Sequence, residues 1–273
     1  MSAFAFRKAP ITAKFGLVVI VLCFFTALFA PLIAPYGQAE VVGDEFLPWS
    51  ASNIFGTDSI GRDMLSRIIF GARNSVGIAV ITTVFAFIIG SAFGIFAAVV
   101  RPFYDQVISR AVDVFMAIPS LIFQLLLLAA FGVSFLNIVL IIAFVDSTRV
   151  FRLVRAVSID IVQLDFIEAA RLRGEGVFYL VFREVLPNAA GPMIVEFGVR
   201  FCYVFLSIAA LSFLGVGIQP PYADWGSMVR ENAALIGYGD ITPLVPAGAI
   251  ALLTVAVNFV VDWRLRVMSA LRD

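Results

Sequence analysis

Histidine is absent from all 273 residues, lysine occurs only at Lys8 and Lys14, and charged residues make up just 14% of the chain. Without histidine the commonest general base and metal ligand is missing. The two cysteines, Cys23 and Cys202, each lie in an apolar run and read as small hydrophobes, so neither a disulfide framework nor a metal cluster is expected. No G-x-x-x-x-G-K-[ST] phosphate loop occurs, and nucleotide has no evident seat. No nucleophile-and-base set is visible either, so the chain is expected to be no enzyme and to carry no cofactor. Lys+Arg and Asp+Glu balance at 19 each, and net charge gives no reason to expect nucleic acid as a partner. What is abundant is apolar surface: 62% of residues are hydrophobic, against roughly 45–50% in an ordinary soluble domain. A water-soluble globule of this composition would expose too much of it, so the partner solvent is membrane lipid.

A helix needs about 20 apolar residues to cross a hydrocarbon core of about 30 Å. The uncharged stretches between Lys14 and Glu40, Arg73 and Arg101, Arg200 and Asp224, and Asp240 and Asp262 each suit one span. Between Asp113 and Asp146 lie 32 uncharged residues, enough for one tilted helix or a tight hairpin of two. Basic residues favour the cytoplasmic side of short loops. With a turn at Gly132, Ser134 and Asn137 there are six spans, and the clusters Arg7/Lys8/Lys14, Arg101/Arg110, Arg149 to Arg183 and Arg264/Arg266/Arg272 share one side. That is fourteen of the 19 basic residues. The expected architecture is an all-α polytopic membrane protein with six transmembrane helices near 15–35, 75–99, 112–131, 135–151, 193–214 and 242–262, both termini cytoplasmic. The long first run, with small residues ending in Ala30-Pro31 and Ala34-Pro35, suits a retained span better than a cleaved signal. Trp49, Trp225 and Trp263 fall in loops or at span ends, where an indole with one wet edge is favoured.

Three segments lie outside the spans. In FGTDSIGRDMLSRIIFGAR, Thr57 or Asp58 can cap a short amphipathic helix with Met64, Leu65, Ile68 and Ile69 on one face and an Asp63–Arg67 i,i+4 pair on the other. GVGIQPPYADWGSMVRENAALIGYGD is too rich in Gly and Pro to continue a helix and is expected as a folded turn or a docking surface. The segment 152–187 carries most information. Asp165-Phe166-Ile167-Glu168 has capping-box spacing; Ala169, Ala170 and Leu172 continue the helix, Arg171 and Arg173 favour its last turn, and Gly174 stops it. A second piece with Phe178, Val181, Phe182 and Val185 on one stripe runs until Leu186-Pro187-Asn188. The paired alanines beside Glu168 leave a low surface suited to close docking, but a structural re-entry accounts for the same pattern. Within the spans the polar candidates are Asp113, Asn258 and the pair Glu196 and Arg200, four residues apart. That pair serves either to satisfy its own helix or as a substrate or gating contact.

The EAARLRG run followed by LPN resembles the EAA loop in integral membrane subunits of ABC importers: Glu168, Ala169, Ala170, Gly174, Leu186 and Pro187 match, while Glu184 stands where the general pattern has Ile. FGTDSIGRDMLSRIIFGAR and LSFLGVGIQPPYADWGSM are similar to segments of the dipeptide and oligopeptide permease family, in particular to the second permease of the pair. The resemblance covers most of the chain from about Phe55 onward. It implies a type I ABC importer fold in a bacterial inner membrane. The implied domains are an N-terminal span with a periplasmic segment (1–73), a permease domain (74–262) with its cytoplasmic EAA loop (152–187), and a cytoplasmic tail (263–273). It further implies a homologous permease as heterodimer partner, two cytoplasmic ATPase subunits coupled through Glu168, Ala169, Ala170, Arg171, Gly174, Leu186 and Pro187, and a periplasmic solute-binding protein. Peptide is the expected cargo; nickel or another non-peptide solute, and a self-contained secondary transporter, are the alternatives.

Overall fold

The computed structural model describes residues 9–100 and 102–269. Arg7, Lys8, Arg101 and Arg272, which carry part of the orientation argument, lie outside the described residues. The helices are α1 (Ile11–Ile33), α2 (Met64–Val99), α3 (Pro102–Ala117), α4 (Ser120–Phe131), α5 (Phe135–Val162), α6 (Asp165–Leu172), α7 (Val177–Phe213), α8 (Trp225–Asn232) and α9 (Leu244–Ser269). A π turn interrupts α2 at Ala72–Val76 and α7 at Leu180–Val185. Among the described residues no strand forms, only isolated bridges between Val41 and Arg62 and between Thr57 and Asp63.

Four helices, α1, α2, α7 and α9, are long and apolar enough to cross a membrane. The expectation of one straight span over 112–131 is corrected: α3 and α4 meet at a 90° bend, and the pair makes a fifth span only if counted as one. The bend falls at Ile118-Pro119, because proline lacks a backbone N–H and disfavours the helical conformation of its predecessor. The sixth expected span falls in α5, which at 28 residues is long enough but carries Asp146, Arg149, Arg152, Arg155 and Asp160. The hairpin turn before α5 forms where expected: Gly132 is left-handed (φ 84°), and the Asn137 amide donates to the carbonyls of Phe131 and Gly132, both at 2.9 Å.

The chain divides into two compact units. The first comprises Met1–Val80, Phe131–Ile138 and Phe205–Asp273. Here α1 lies against α9 so closely that a Cβ on Gly16 would stand 2.4 Å from the Ala256 carbonyl oxygen. Small residues allow such backbone approach where lipid removes any hydrophobic drive between helices. The opposite flank of α1 is bare, with Leu28 72% and Leu32 82% exposed, as a lipid-facing surface should be.

The expected short helix beginning near 64 is the first turns of α2, running through the π turn into the span. Its cap is Asp63, whose carboxylate accepts the Ser66 N–H at 2.8 Å. Thr57 instead donates to the Asp44 carbonyl, and Asp58 accepts from the N–H groups of Ile60 and Arg62. Because Asp63 is used as the cap, the expected Asp63–Arg67 pair does not form. Arg67, 1% exposed, donates to Asp58 and to Glu231 (2.7 Å), and Arg62 reaches the same two carboxylates. Burial alone would push the Asp58 carboxyl up; the N–H groups of Arg62 and Ile60 and the guanidinium charges of Arg67 and Arg62 outweigh it and hold the group below the usual carboxylate range.

The Gly- and Pro-rich segment does continue into a helix, contrary to expectation. Asp224 caps α8 by accepting the Ser227 N–H at 2.9 Å, and a 3-10 turn over Ala233–Tyr238 follows. Burial pushes the Asp224 carboxyl up, against the opposing effect of hydrogen bonds that include Ser227 N–H and Ser75 Oγ. Trp225 has no wet edge: it is 3% exposed, its Nε1 donates to the Ile68 carbonyl at 2.9 Å, and its ring packs against Gly71, where a Cβ would stand 2.5 Å away. Trp263 is likewise buried, beside Ala9 and Ala13, whereas Trp49 keeps an exposed edge and donates to Thr242.

The second unit comprises Ile81–Ala130 and Val139–Val204. The lower half of α2 crosses α5 at glycines: a Cβ on Gly90 would meet the Ser147 carbonyl oxygen at 2.6 Å, and one on Gly94 the Phe151 oxygen at 3.0 Å. Ion pairs Arg155–Asp105 and Arg152–Asp113 (2.6 Å) tie α3 to the charged end of α5.

Candidate functional site

The corner 163–187 is built in the second unit. Helix α6 starts after Leu164, which offers no side-chain cap; Asp165 and Glu168 sit inside the first turn, so the expected capping box is absent and the two carboxylates act only through the helix dipole. The stop is as expected. Gly174 is left-handed (φ 81°), its N–H bonds to the Arg171 carbonyl at 2.9 Å, and the Glu175 N–H bonds to the Ala170 carbonyl at 3.2 Å. This pair of bonds is a Schellman closure, which a residue with a Cβ accommodates poorly.

The two faces of α6 differ in what they touch. Ile167 (1% exposed) and Ala170 (0%) enter a core with Ile95 and Val99 of α2, Val150, Val154 and Ile161 of α5, and Leu180, Val185 and Ala189 of α7. Glu168, Ala169, Leu172 and Gly174 face outward, with Leu172 83% exposed. Only one of the paired alanines is therefore on the surface. Arg171 is exposed but turns back toward the Val99 carbonyl (3.5 Å), at the end of α2.

Leu186-Pro187-Asn188 does not end the second helix, as the sequence suggested; α7 passes through it to Phe213. The π turn over Leu180–Val185 widens the helix just before the proline ring, and the Asn188 side chain donates to the Glu184 carbonyl at 2.6 Å. π turns inside helices recur at functional sites, and this one lies beneath α6. The expected stripe splits: Val185 is buried, Phe178 and Phe182 are 81% and 60% exposed with stacked rings, and Leu186 and Pro187 line an apolar groove farther along α7.

Glu196 and Arg200 do pair, Arg200 Nε lying 2.7 Å from Glu196 Oε1. The sequence reading missed their neighbours on α5. Asp146 Oδ1 stands 3.6 Å from both Arg149 Nη1 and Arg200 Nη1, and the Arg200 guanidinium lies over the Tyr203 ring at 4.7 Å. A carboxylate ending a 32-residue uncharged stretch is the signal the sequence offers. Asp113 is engaged by Arg152, and Asn258 donates to the Thr254 carbonyl on its own helix.

The described chain is a helical membrane protein whose exposed corner is fixed to the ends of three long helices. The sequence comparisons agree. Residues 90–270 match the model of binding-protein-dependent transport system inner membrane components, and residues 6–48 match the N-terminal transmembrane domain of oligopeptide transport permease C. The chain is 36% identical over 254 residues to the di/tripeptide transport system permease protein of Pseudomonas aeruginosa strain UCBPP-PA14, covering 90% of this chain and 84% of that protein. It is 37% identical over 257 residues to the dipeptide transport system permease protein of Escherichia coli K12, covering 92% and 86%. A solved amino acid ABC transporter, crystallised with histidines, shares the fold with a TM-score of 0.55 at 19% identity, over 72% of this chain and 92% of that one. This chain belongs to the binding-protein-dependent transport system inner membrane component family. Membership makes it a permease subunit of a transport system and disfavours the reading as a self-contained secondary transporter.

Proposed function

We propose that the chain is one of two homologous permeases in a type I ABC importer of the bacterial inner membrane, and that its cargo is peptide. The dipeptide and di/tripeptide names of its relatives support the cargo. ATP is hydrolysed on two partner subunits, and a periplasmic binding protein delivers the substrate. In this reading α5 supplies the sixth span, its apolar first half in the membrane and its charged end beyond, with both termini and the corner 152–187 cytoplasmic. Residues 1–73 form the first span with its periplasmic segment, 74–262 the permease domain and 263–273 the tail.

One observation carries the coupling assignment: α6 and its Gly174 stop present Glu168, Ala169, Leu172 and Gly174 outward while Ile167 and Ala170 fix the helix to α2, α5 and α7. An ATPase subunit gripping the outward face moves the bases of three helices together, because close-packed cores transmit displacement. Arg171 turns back toward the end of α2, Leu186 packs against the core beneath α6, and Pro187 follows it on α7. ATP binding and hydrolysis then favour different states of the membrane subunits, which is alternating access. Glu168→Arg is the test. The variant should reach the membrane at wild-type level, yet retain less than a tenth of the co-purifying ATPase and of the hydrolysis stimulated by loaded binding protein. Retained stimulation and uptake would remove the assignment.

A further inference from the structure

Ionisable groups at membrane depth are costly and mark paths for charged cargo unless they fully satisfy one another. Helices α5 and α7 bring four together: Asp146, Arg149, Glu196 and Arg200. Asp146 lies about 16 Å along α5 from Phe135 at 1.5 Å per residue, half of a core of about 30 Å. The group does not close on itself. Arg200 Nε lies 2.7 Å from Glu196 Oε1 without hydrogen-bond geometry, both guanidinium groups stand 3.6 Å from the single oxygen Asp146 Oδ1, beyond good hydrogen-bond length, and the buried Asp146 Oδ2 has no partner. Side-chain exposure rises from Asp146 (5%) through Arg200 (12%) and Glu196 (15%) to Arg149 (38%), so the cluster opens outward from its deepest carboxylate. Along α7, Met193, Phe197 and Arg200 follow one stripe. The first two, with Phe87, Ala190 and Ile194, line an apolar groove of about 520 Å³. The stripe thus leads from an apolar trough to charges of both signs.

We propose that this cluster receives the charged main-chain ends of the transported peptide, the terminal carboxylate at Arg200 and Arg149 and the terminal ammonium at Asp146 and Glu196, with the groove taking an apolar side chain. The inference rests on the peptide reading above. A free peptide is a zwitterion whose ends are constant while its side chains vary. A site with two groups of each sign matches those ends and tolerates many sequences. The ammonium supplies the donor that Asp146 Oδ2 lacks.

The test uses the assembled importer in proteoliposomes with its partner subunits and loaded binding protein. In the double variant Glu196→Arg with Arg200→Glu, the i,i+4 pair and net charge persist but each charge moves one turn. Abundance and stimulated ATP hydrolysis should stay within twofold of wild type, while dialanine uptake falls at least tenfold. Uptake within twofold overturns the inference; equal loss of uptake and hydrolysis, which the lost Asp146–Arg200 contact alone would give if the cluster were only structural, also overturns it. If the double variant does not assemble, the isosteric Asp146→Asn is read instead: uptake at least fivefold down with hydrolysis kept supports the site, and retained uptake or joint loss overturns it. A wild type that imports no dialanine removes the peptide reading and this site with it, whereas import by both wild type and variants removes the site alone.

Discussion

Replacing Gly174 by alanine isolates backbone conformation from packing at the coupling corner. A Cβ built on Gly174 meets nothing within 4 Å, so no steric contact accompanies the change. What remains is the left-handed φ of 81°, which costs a residue with a Cβ about 1–2 kcal/mol. If the corner relaxes to avoid that strain, the Schellman bonds from Gly174 and Glu175 break, and a docking ATPase must restore them. At about 1.4 kcal/mol per tenfold, docking or stimulated hydrolysis should fall roughly 5- to 30-fold. No span is touched, so membrane abundance should be unchanged. Asparagine tolerates the left-handed region far better than alanine, so Gly174→Asn should recover most of the loss. The assay is binding-protein-stimulated ATP hydrolysis in proteoliposomes, normalised to permease content. Normal hydrolysis in Gly174→Ala, or equal losses in the alanine and asparagine variants, would refute the conformational argument. Loss of the protein itself would return the corner to a purely structural role.

Trp225→Ala should destabilise the detergent-solubilised protein by about 3–5 kcal/mol, the range for truncating a buried aromatic, measured by thermal unfolding; a change under about 1 kcal/mol would contradict its place beneath Gly71 and Ile68. Asp58→Asn should lower stability at neutral pH by about 3 kcal/mol, since it leaves Arg62 and Arg67 short of a buried partner. Because the folded Asp58 carboxyl is held below its usual value near 3.8, its stabilisation is present above that pH and is lost as the pH falls through the lower folded value. The acid limb of the unfolding profile should therefore be flatter in Asp58→Asn than in the wild type, and parallel limbs would count against the network. In a cysteine-free background, a cysteine at Tyr238 should react with an impermeant thiol reagent in intact cells, and one at Asp160 only after permeabilisation; labelling at 160 from outside would invert the topology.

Features set by neighbouring residues were legible in the sequence, and features set by distant ones were not. The Gly132 turn and the Gly174 stop depend on a glycine and its local bonds, so spacing sufficed. Long apolar runs located α1, α2, α7 and α9 for the same reason. Helix spacing pairs Arg67 with Asp63, but Asp63 is used as the cap, and the better partner, Glu231, lies 164 residues away. Composition makes the Gly- and Pro-rich stretch look nonhelical, yet Asp224 caps a helix there whose Trp225 is buried against α2. Proline gave opposite outcomes. Pro119 breaks a helix, whereas Pro187 follows a π turn that leaves it room. At the site, the outward residues of α6 were recognisable from their motif, but the separation of Ala169 from Ala170 depends on a core drawn from three other helices.

The same helices that receive the corner also carry the charge cluster, and in the proposed reading this would relate docking to cargo. Val150 and Val154 of α5 pack beneath α6 about one to two turns beyond Asp146, while Val185 and Ala189 of α7 do so about two to four turns before Glu196 and Arg200. Arg200 and Asp146 approach only to 3.6 Å, while Arg200 Nε lies 2.7 Å from Glu196 on its own helix. A shift of α7 relative to α5 therefore changes the Asp146–Arg200 separation without breaking the Arg200–Glu196 pair. At the base, that shift requires rearranging the core that Leu180 and Val185, the two ends of the π turn, share with Val154 and Ile161. Stiffening or loosening this base should alter coupling while leaving the charge cluster's composition intact. Val185→Ala provides the comparison: Val185 is wholly buried, and its truncation should loosen the base by about 1–2 kcal/mol from two lost methyl groups. Basal ATP hydrolysis without binding protein should then rise relative to stimulated hydrolysis, as the corner uncouples from the spans. An unchanged ratio at normal abundance would show that movement reaches the charges by a route other than this core.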